Sequence, residues 1–476
     1  MNANQAGERL DKLPISKWHW QIFLLIGFGL QINGFLNSSG SSILADLVNK
    51  GWSNNYFNAM FSSAMMAGFF LGSLIGGFLG DKFGRKKAYQ LSILCFAVVS
   101  LLAGISPNIW FLIFCRGVMG IGMGSGIVIG YASFTEFFPA KVRGKWSARL
   151  SLIGNCSPLI AALVSYLVIP NFGWRWVFII GGAAALLILI FVSVYLDESP
   201  RWCFENNRPD QGEEILNQVV KKIEKEKNIS LQFKESTEGN KEKAEANQEK
   251  ASFKEFFKGD LGIRTIVAST VLIAMNVSLY TITVWIPTIF VNSGVEISKS
   301  LLMTTLIMIG APLGVFVSTL IVDKFPRKWF GVVLILLISV LGYIYSIQIY
   351  ENRIIILGAA LVFVLYIFNS FSSAVYAPEL WPTKVKMRGS GISNSIGRIV
   401  AICIPYVIAW LLTNYGVQSV FIMLGLVLGF CALILARFGI ETRKKSIEEI
   451  ENSYLKEAKK NKFGESPIIN PKENHL

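Results

Sequence analysis

Gly80-Asp-Lys-Phe-Gly-Arg-Lys86 returns as Val322-Asp-Lys-Phe-Pro-Arg-Lys328, 242 residues later. A second stretch, Glu136-Phe-Phe-Pro-Ala-Lys-Val-Arg-Gly144, returns as Glu379-Leu-Trp-Pro-Thr-Lys-Val-Lys-Met-Arg-Gly389. The offset there is 243, growing to 245 after a small insertion. Glu198 and Glu441 are again 243 apart. One such echo would be chance. Three in the same order make the chain two related halves.

What lies between the echoes decides what the halves are. A membrane-spanning helix needs about 20 mostly apolar residues. Twelve runs qualify: 18–39, 56–80, 88–106, 109–138, 147–169, 175–196, 262–290, 300–322, 330–349, 354–378, 388–413 and 418–437. The expected fold is therefore all-α and membrane-embedded, with twelve spans in two six-helix repeats. The divisions are a tail over 1–17, a first half over 18–196, a loop over 197–261, a second half over 262–438 and a tail over 439–476. The first 17 residues are polar, and no small-residue cleavage site follows a short apolar core. The first run thus reads as a mature span, not a signal peptide.

Composition agrees. Charged residues are only 16% of the chain, against about 25% in ordinary soluble domains. The net charge of +14 would suit a nucleic-acid partner if the basic residues formed one surface. They do not. Lys82, Arg85, Lys86 and Lys87, then Lys141, Arg143, Lys145 and Arg149, then Lys324, Arg327 and Lys328, then Lys384, Lys386 and Arg388 fill alternate short loops. The other short loops hold Lys50, Arg175, Lys299 and Arg353. By the positive-inside rule the first set is cytoplasmic, which also puts both termini and the long loop there. That loop, with 13 basic and 15 acidic residues from Asp197 to Arg264, is nearly neutral and Lys/Glu-rich, notably over 241–250. It reads as soluble helices and linker. No nucleic-acid partner is expected.

Other classes lack their signals. Six scattered Cys (Cys95, Cys115, Cys156, Cys203, Cys403, Cys431) and two distant His (His19, His475) suggest neither a disulfide framework nor a metal site. Gly120-Ile-Gly122-Met-Gly124 lies inside a span, not after a strand, so it is no dinucleotide loop. No Walker loop is present to power a pump. No cofactor and no enzymatic activity are expected. Parallel repeats place a solute path at their interface near the bilayer midplane and make rocking of the halves the natural motion.

These stretches resemble the major facilitator superfamily over nearly the whole chain. Gly80-Asp81-Lys-Phe-Gly84-Arg85-Lys86 is similar to its loop 2–3 motif, and Arg116-Gly-Val-Met-Gly120-Ile-Gly122-Met-Gly124 to its fourth-helix motif. Glu136…Pro139-Ala-Lys-Val-Arg143-Gly144, Glu198-Ser-Pro-Arg201-Trp202 and Glu441-Thr-Arg-Lys-Lys-Ser-Ile-Glu-Glu-Ile450 resemble the sugar-porter and organic-ion branch. Trp285-Ile-Pro-Thr-Ile-Phe290 and Tyr376-Ala-Pro-Glu379-Leu-Trp look like the bacterial metabolite:proton symporters, which include nicotinate, aromatic-acid and organic-ion carriers and are related to synaptic-vesicle glycoprotein 2. The resemblance implies a monomeric transporter in the cell membrane, the inner membrane if the source is bacterial. It would move a small organic solute by alternating access, with protons as the coupling ion. The glutamine-bearing seventh-helix motif of sugar porters is missing, since Ala274-Met-Asn276-Val-Ser278-Leu-Tyr280 keeps only an Asn and a Tyr. Organic acids therefore rank above sugars. A transporter-like nutrient sensor is the rival from another class.

Two charges lie well inside spans, Arg116 and Arg398. An Arg at the centre of a span costs about 2.5–3.5 kcal/mol on insertion scales. Each is either a clamp on neighbouring carbonyls or a functional cation. A guanidinium matches the plane of a carboxylate with two hydrogen bonds, which makes Arg398 a candidate fork for a substrate carboxylate. The resemblance implies that Arg116 couples to an acid on the first span. There the chain departs from the family, with Asn33-Gly34-Phe35-Leu36 in the matching stretch. Asn cannot titrate near neutral pH. Transport is expected to depend weakly on the proton gradient, and Asn33→Asp to add pH dependence. Gln31, Asn33, Asn276, Tyr280, Trp285, Asn369 and Tyr376 complete the expected path. The expected cytoplasmic gate comprises Asp81, Arg85, Glu136, Arg143, Glu198 and Arg201, with Asp323, Arg327, Glu379, Arg388 and Glu441 in the second half.

Overall fold

The computed structural model describes residues 3–229, 256–381 and 385–443. The 241–250 stretch, Lys384 and the tail beyond 443 lie outside the described residues. Among the described residues, twelve helices are long and apolar enough to cross a membrane.

After a short helix α1 (Ala3–Asp11), the first six spans are α2 (Lys17–Asn49), α3 (Asn55–Phe83), α4 (Arg85–Gly104), α5 (Ile109–Phe137), the pair α6 (Ala140–Asn155) and α7 (Ser157–Phe172), and α8 (Trp174–Tyr195). Two polar helices follow, α9 (Pro200–Glu205) and α10 (Pro209–Lys227). The remaining spans are α11 (Gly259–Asn292), α12 (Ile297–Met308) with α13 (Gly310–Ile321), α14 (Arg327–Ser346), α15 (Glu351–Ser370) with a π-helical turn (Phe371–Tyr376) and α16 (Ala377–Glu379), then α17 (Lys386–Tyr415) and α18 (Val417–Phe438). The basic loops all fall at one end of the bundle, here termed the basic end.

Local chemistry explains the breaks. Pro158 cannot donate to the carbonyl of Gly154, and the chain breaks between α6 and α7. The Ser157 hydroxyl donates to that carbonyl instead, at 2.6 Å. Pro312 breaks the eighth span between α12 and α13 in the same way. The first span runs ten residues past its expected end at 39. Ser38-Ser-Gly-Ser-Ser42 is helical too, and its Ser41 and Ser39 hydroxyls find acceptors within the helix, at the carbonyls of Ser38 and Leu36.

Packing within the first half uses bare backbone. A Cβ on Gly68, Gly120 or Gly124 would overlap a carbonyl oxygen of the facing helix, so α3 and α5 meet with nothing between them. Small residues permit this approach. Gly310 and Gly314 do the same against α15 in the second half. One apolar core runs chiefly through residues 6–223 and another chiefly through residues 256–435. The two six-helix sets join through α2 with α11, α3 with α17 and α7 with α12. Among the described residues the six cysteines are free; Cys115, Cys203 and Cys431 are buried and Cys403 is exposed.

Candidate solute path and gate

A partly open cavity lies where the two sets meet. Asn37, Ser38 and Ser41 of α2 face Tyr280 and Thr283 of α11, Thr304 of α12 and Tyr366 of α15 across it. An adjoining lobe shares Asn37, Ser41 and Tyr280 and adds Phe61, Met65, Met66, Arg116 and Pro405. Hydrogen bonds between the sets fall toward the end opposite the basic loops. Asn55 donates to Thr413, Asn292 to Asn55, and Ser63 to the Ile402 carbonyl. Deeper in, Asn369 donates to Asn155 at 3.3 Å.

Arg116 is 2% exposed. One terminal nitrogen donates to the Leu36 carbonyl at 2.9 Å, and the other reaches the Asn37 carbonyl at 3.5 Å. Its guanidinium lies 4.5 Å from the Phe61 ring centroid, and Nε has no partner. Asn33 is not opposite it. Asn33 donates to the Met123 carbonyl at 2.9 Å, two helical turns along α5 from Arg116. The position beside Arg116 is Asn37. Asn33→Asp would set a carboxylate against a carbonyl oxygen, so the expected gain of pH dependence moves to Asn37→Asp. Asp46, the remaining acid on α2, is 2% exposed and paired with Lys50 at 2.8 Å, far from the centre.

Arg398 is half-buried, thirteen residues into α17, with its guanidinium 5.7 Å from the Phe69 ring centroid on α3. Among the described residues neither Arg116 nor Arg398 has a carboxylate partner.

The other expected path residues divide. Tyr280 lines both lobes. Gln31 accepts from Ser157 and leaves its buried amide nitrogen unpaired. Asn276 donates to its own helix at Leu272 and packs on Gly397. Trp285 and Tyr376 correct the expectation. Trp285 is 1% exposed within the second core. Tyr376 is fully buried at the basic end, where its hydroxyl donates to the Ile440 carbonyl and accepts from the Ile440 amide. Both are packing residues. Asn37, Ser38, Ser41, Thr283, Thr304 and Tyr366 were missed.

The expected gate residues assemble into two clusters, each within its own half. Arg85 donates to Asp81 at 2.9 Å, to Glu136 at 2.9 Å and to the Gly80 carbonyl at 2.8 Å. Glu198 accepts from the amides of Arg85 (2.6 Å) and Lys86 (3.1 Å), the first turn of α4. A carboxylate suits a helix N-terminus. Burial pushes the Glu198 carboxyl above the usual carboxylate range, while these amides and the Arg85 charge pull it back. Ser199 donates to Glu136. Arg143 pairs with Asp11 at 3.0 Å and Arg201 with the same carboxylate at 3.5 Å, tying α1 to the cluster.

In the second half Arg327 donates to Asp323 at 2.8 Å and Glu379 at 3.3 Å. Glu441 accepts from the amides of Arg327 and Lys328 at the start of α14, and Thr442 donates to Glu379. Arg388 is exposed near the start of α17.

The sequence profile of the sugar (and other) transporter family matches residues 22–454. The chain belongs to this family. It is 52% identical over 447 residues to the inner membrane metabolite transport protein YdjE of Escherichia coli, covering 94% of this chain and 98% of that one. It is 28% identical over 448 residues to the niacin transporter NiaP of Acinetobacter baylyi, covering 93% and 98%. The fold resembles a partially occluded inward-open structure of the xylose transporter XylE from E. coli, with TM-score 0.70 and 17% identity over 90% of this chain and 100% of that one. The protein is thus a multi-pass membrane transporter, not an enzyme. It moves small solutes by alternating access, in keeping with a cavity at the junction of two repeats.

Proposed function

We propose that the protein carries a small organic anion across a bacterial inner membrane. One observation carries this reading. Arg116 borders the cavity, Arg398 is half-buried within a span over the Phe69 ring, and among the described residues no carboxylate neutralises either. An unpaired cation within a membrane is costly, and an anionic solute would offset that cost during each passage. The 28% identical relative named for niacin, itself a carboxylic acid, supports the choice. The basic end and both termini are assigned to the cytoplasm by charge. YdjE, named as an inner membrane protein, supports the location.

The unit is a monomer of two halves, 18–196 and 262–438, joined by the 197–261 loop. Asp81, Arg85, Glu136, Arg143, Glu198 and Arg201, with Asp323, Arg327, Glu379, Arg388 and Glu441, serve as its gate. Because Asp46 is tied to Lys50, no central acid drives coupling. Uptake under clamped voltage is expected to survive a protonophore.

The test is thermal stabilisation of the purified protein by a panel of organic acids, cations, nucleobases and sugars. An acid should stabilise it, Arg398→Ala should lose the effect, and Arg398→Lys should keep it. Stabilisation by a neutral sugar alone would overturn the anion reading. Counterflow in proteoliposomes separates a carrier from a sensor.

A further inference from the structure

Three of the four serine and threonine hydroxyls that line the cavity, all but Ser38, are engaged in one direction. A Ser or Thr hydroxyl has one proton to donate and two lone pairs to accept with. Ser41 spends its proton on the Ser38 carbonyl at 2.9 Å, Thr283 on the Leu279 carbonyl at 2.7 Å, and Thr304 on the Ser300 carbonyl at 2.8 Å. All three line the cavity, and each is left with lone pairs only. In this arrangement they stand ready to receive a hydrogen bond from a solute.

The donors come from other side chains. Tyr280 and Tyr366 line the same space, and among the described residues neither phenol has a hydrogen-bond partner. Arg116 supplies charge from the adjoining lobe. The lining therefore offers a cation with two phenol donors, which suit a carboxylate, three hydroxyls placed to accept, which suit groups that bring their own protons, and Asn37 and Ser38, which can do either. A bare aromatic or aliphatic acid meets the first set and leaves the second unmet. A neutral sugar does the reverse. A site built to hydrogen-bond a solute hydroxyl discriminates strongly against the analogue lacking it.

We infer that the solute is a polyhydroxylated carboxylate, an acid of the aldonate type. This inference rests on the anion reading and adds the hydroxyls to it.

Three probes of equal carbon number separate the two claims. Gluconate has both features, hexanoate only the carboxylate, and sorbitol only the hydroxyls. Each is assayed by thermal stabilisation of the full chain, and labelled gluconate by uptake into proteoliposomes. Gluconate is expected to bind at least tenfold more tightly than either partner. Hexanoate matching or exceeding gluconate overturns the inference and leaves the anion reading intact. Sorbitol matching gluconate overturns both. Silence from all three counts against the inference. The pair Thr283→Val and Thr304→Val should weaken gluconate about tenfold and leave hexanoate unchanged, whereas Thr283→Ser and Thr304→Ser, which keep the hydroxyls, should bind gluconate like the parent. Equal weakening of gluconate and hexanoate by the Val pair would mean that these residues only shape the cavity. If the Val pair does not fold, the Ser pair and the three probes still decide.

Discussion

The two clusters at the basic end are built to one plan from different turns. In each, an arginine sits between two carboxylates: Arg85 between Asp81 and Glu136, Arg327 between Asp323 and Glu379. In each, a glutamate more than 110 residues along caps the helix that the arginine begins. In each, the next residue donates a hydroxyl to the second carboxylate, from Ser199 to Glu136 and from Thr442 to Glu379. The turn itself differs. Gly84 has φ +92°, whereas its counterpart Pro326 has φ −59°. A Cβ on Gly84 would overlap the Glu198 carboxylate. What the repeat has kept is the charge pattern and the cap. The backbone route to them was free to change.

That contrast breaks most visibly at the turn. Gly84→Val adds a β-branched side chain at positive φ and drives it into Glu198. Backbone strain of this kind costs about 1–3 kcal/mol before the clash is counted. Pro326→Ala keeps an ordinary φ and should cost under about 1 kcal/mol, mostly through the unfolded chain. Thermal unfolding of the two purified variants checks this. A larger loss from Pro326→Ala would show that the second turn is the constrained one.

A smaller effect concerns Glu198 itself. Its carboxyl titrates above the usual range because it is buried. A carboxylic acid whose folded pKa is raised binds its proton more tightly in the folded state. Its contribution to stability is then largest at low pH and is lost as pH rises through the folded pKa. The stability difference between wild type and Glu198→Gln should therefore shift in favour of the Gln variant as pH climbs from the usual carboxylate range through that raised value. Unfolding of both proteins at a series of pH values, with Glu441→Gln run alongside, measures it. A flat difference for Glu198→Gln would mean that the amide cap cancels the burial.

The two charge clusters were legible because their residues are charges at helix ends, where sequence alone places Asp81, Arg85 and Glu198 and the repeat supplies a second copy. The path was legible only in part. Arg116 stood out as a charge within a span, and Tyr280 as an aromatic beside a polar Asn. Ser38-Ser-Gly-Ser-Ser42 gave no path residue from sequence, because a hydroxyl lining a cavity and one bonded to its own helix look alike there. Here Ser41 does both. The spacing of Asn37 with Ser41, and of Tyr280 with Thr283, would have put each pair on one helix face, but only the partner half tells which face meets the cavity. Trp285 and Tyr376 were overread for the same reason: a large amphipathic ring fits a core as well as a path. The displacement of Asn33 from Arg116 is axial, since Asn33 lies one turn of α2, about 6 Å, from Asn37 on nearly the same face.

The first cluster has one more attachment, in the carboxylate of Asp11, which reaches Arg143 and Arg201 from α1. All three side chains are about one-third exposed. Water screens such pairs, and an exposed ion pair is worth about 0–1 kcal/mol. Asp11→Asn should therefore leave the thermal midpoint almost unchanged. Its effect on the gate should be larger in proportion, because Arg143 stands at the start of α6, whose junction with α7 breaks at Cys156, and Arg201 follows the Ser199 that holds Glu136. If the tether holds these elements together when the basic end closes, Asp11→Asn should raise the labelling rate of a cysteine placed at Gly144 by no more than about fivefold, the factor for 1 kcal/mol. The same label at Gly391, in the other half, should change less. Equal changes at both positions would show that α1 acts on the two halves as one body, and the extra attachment would then not distinguish the clusters.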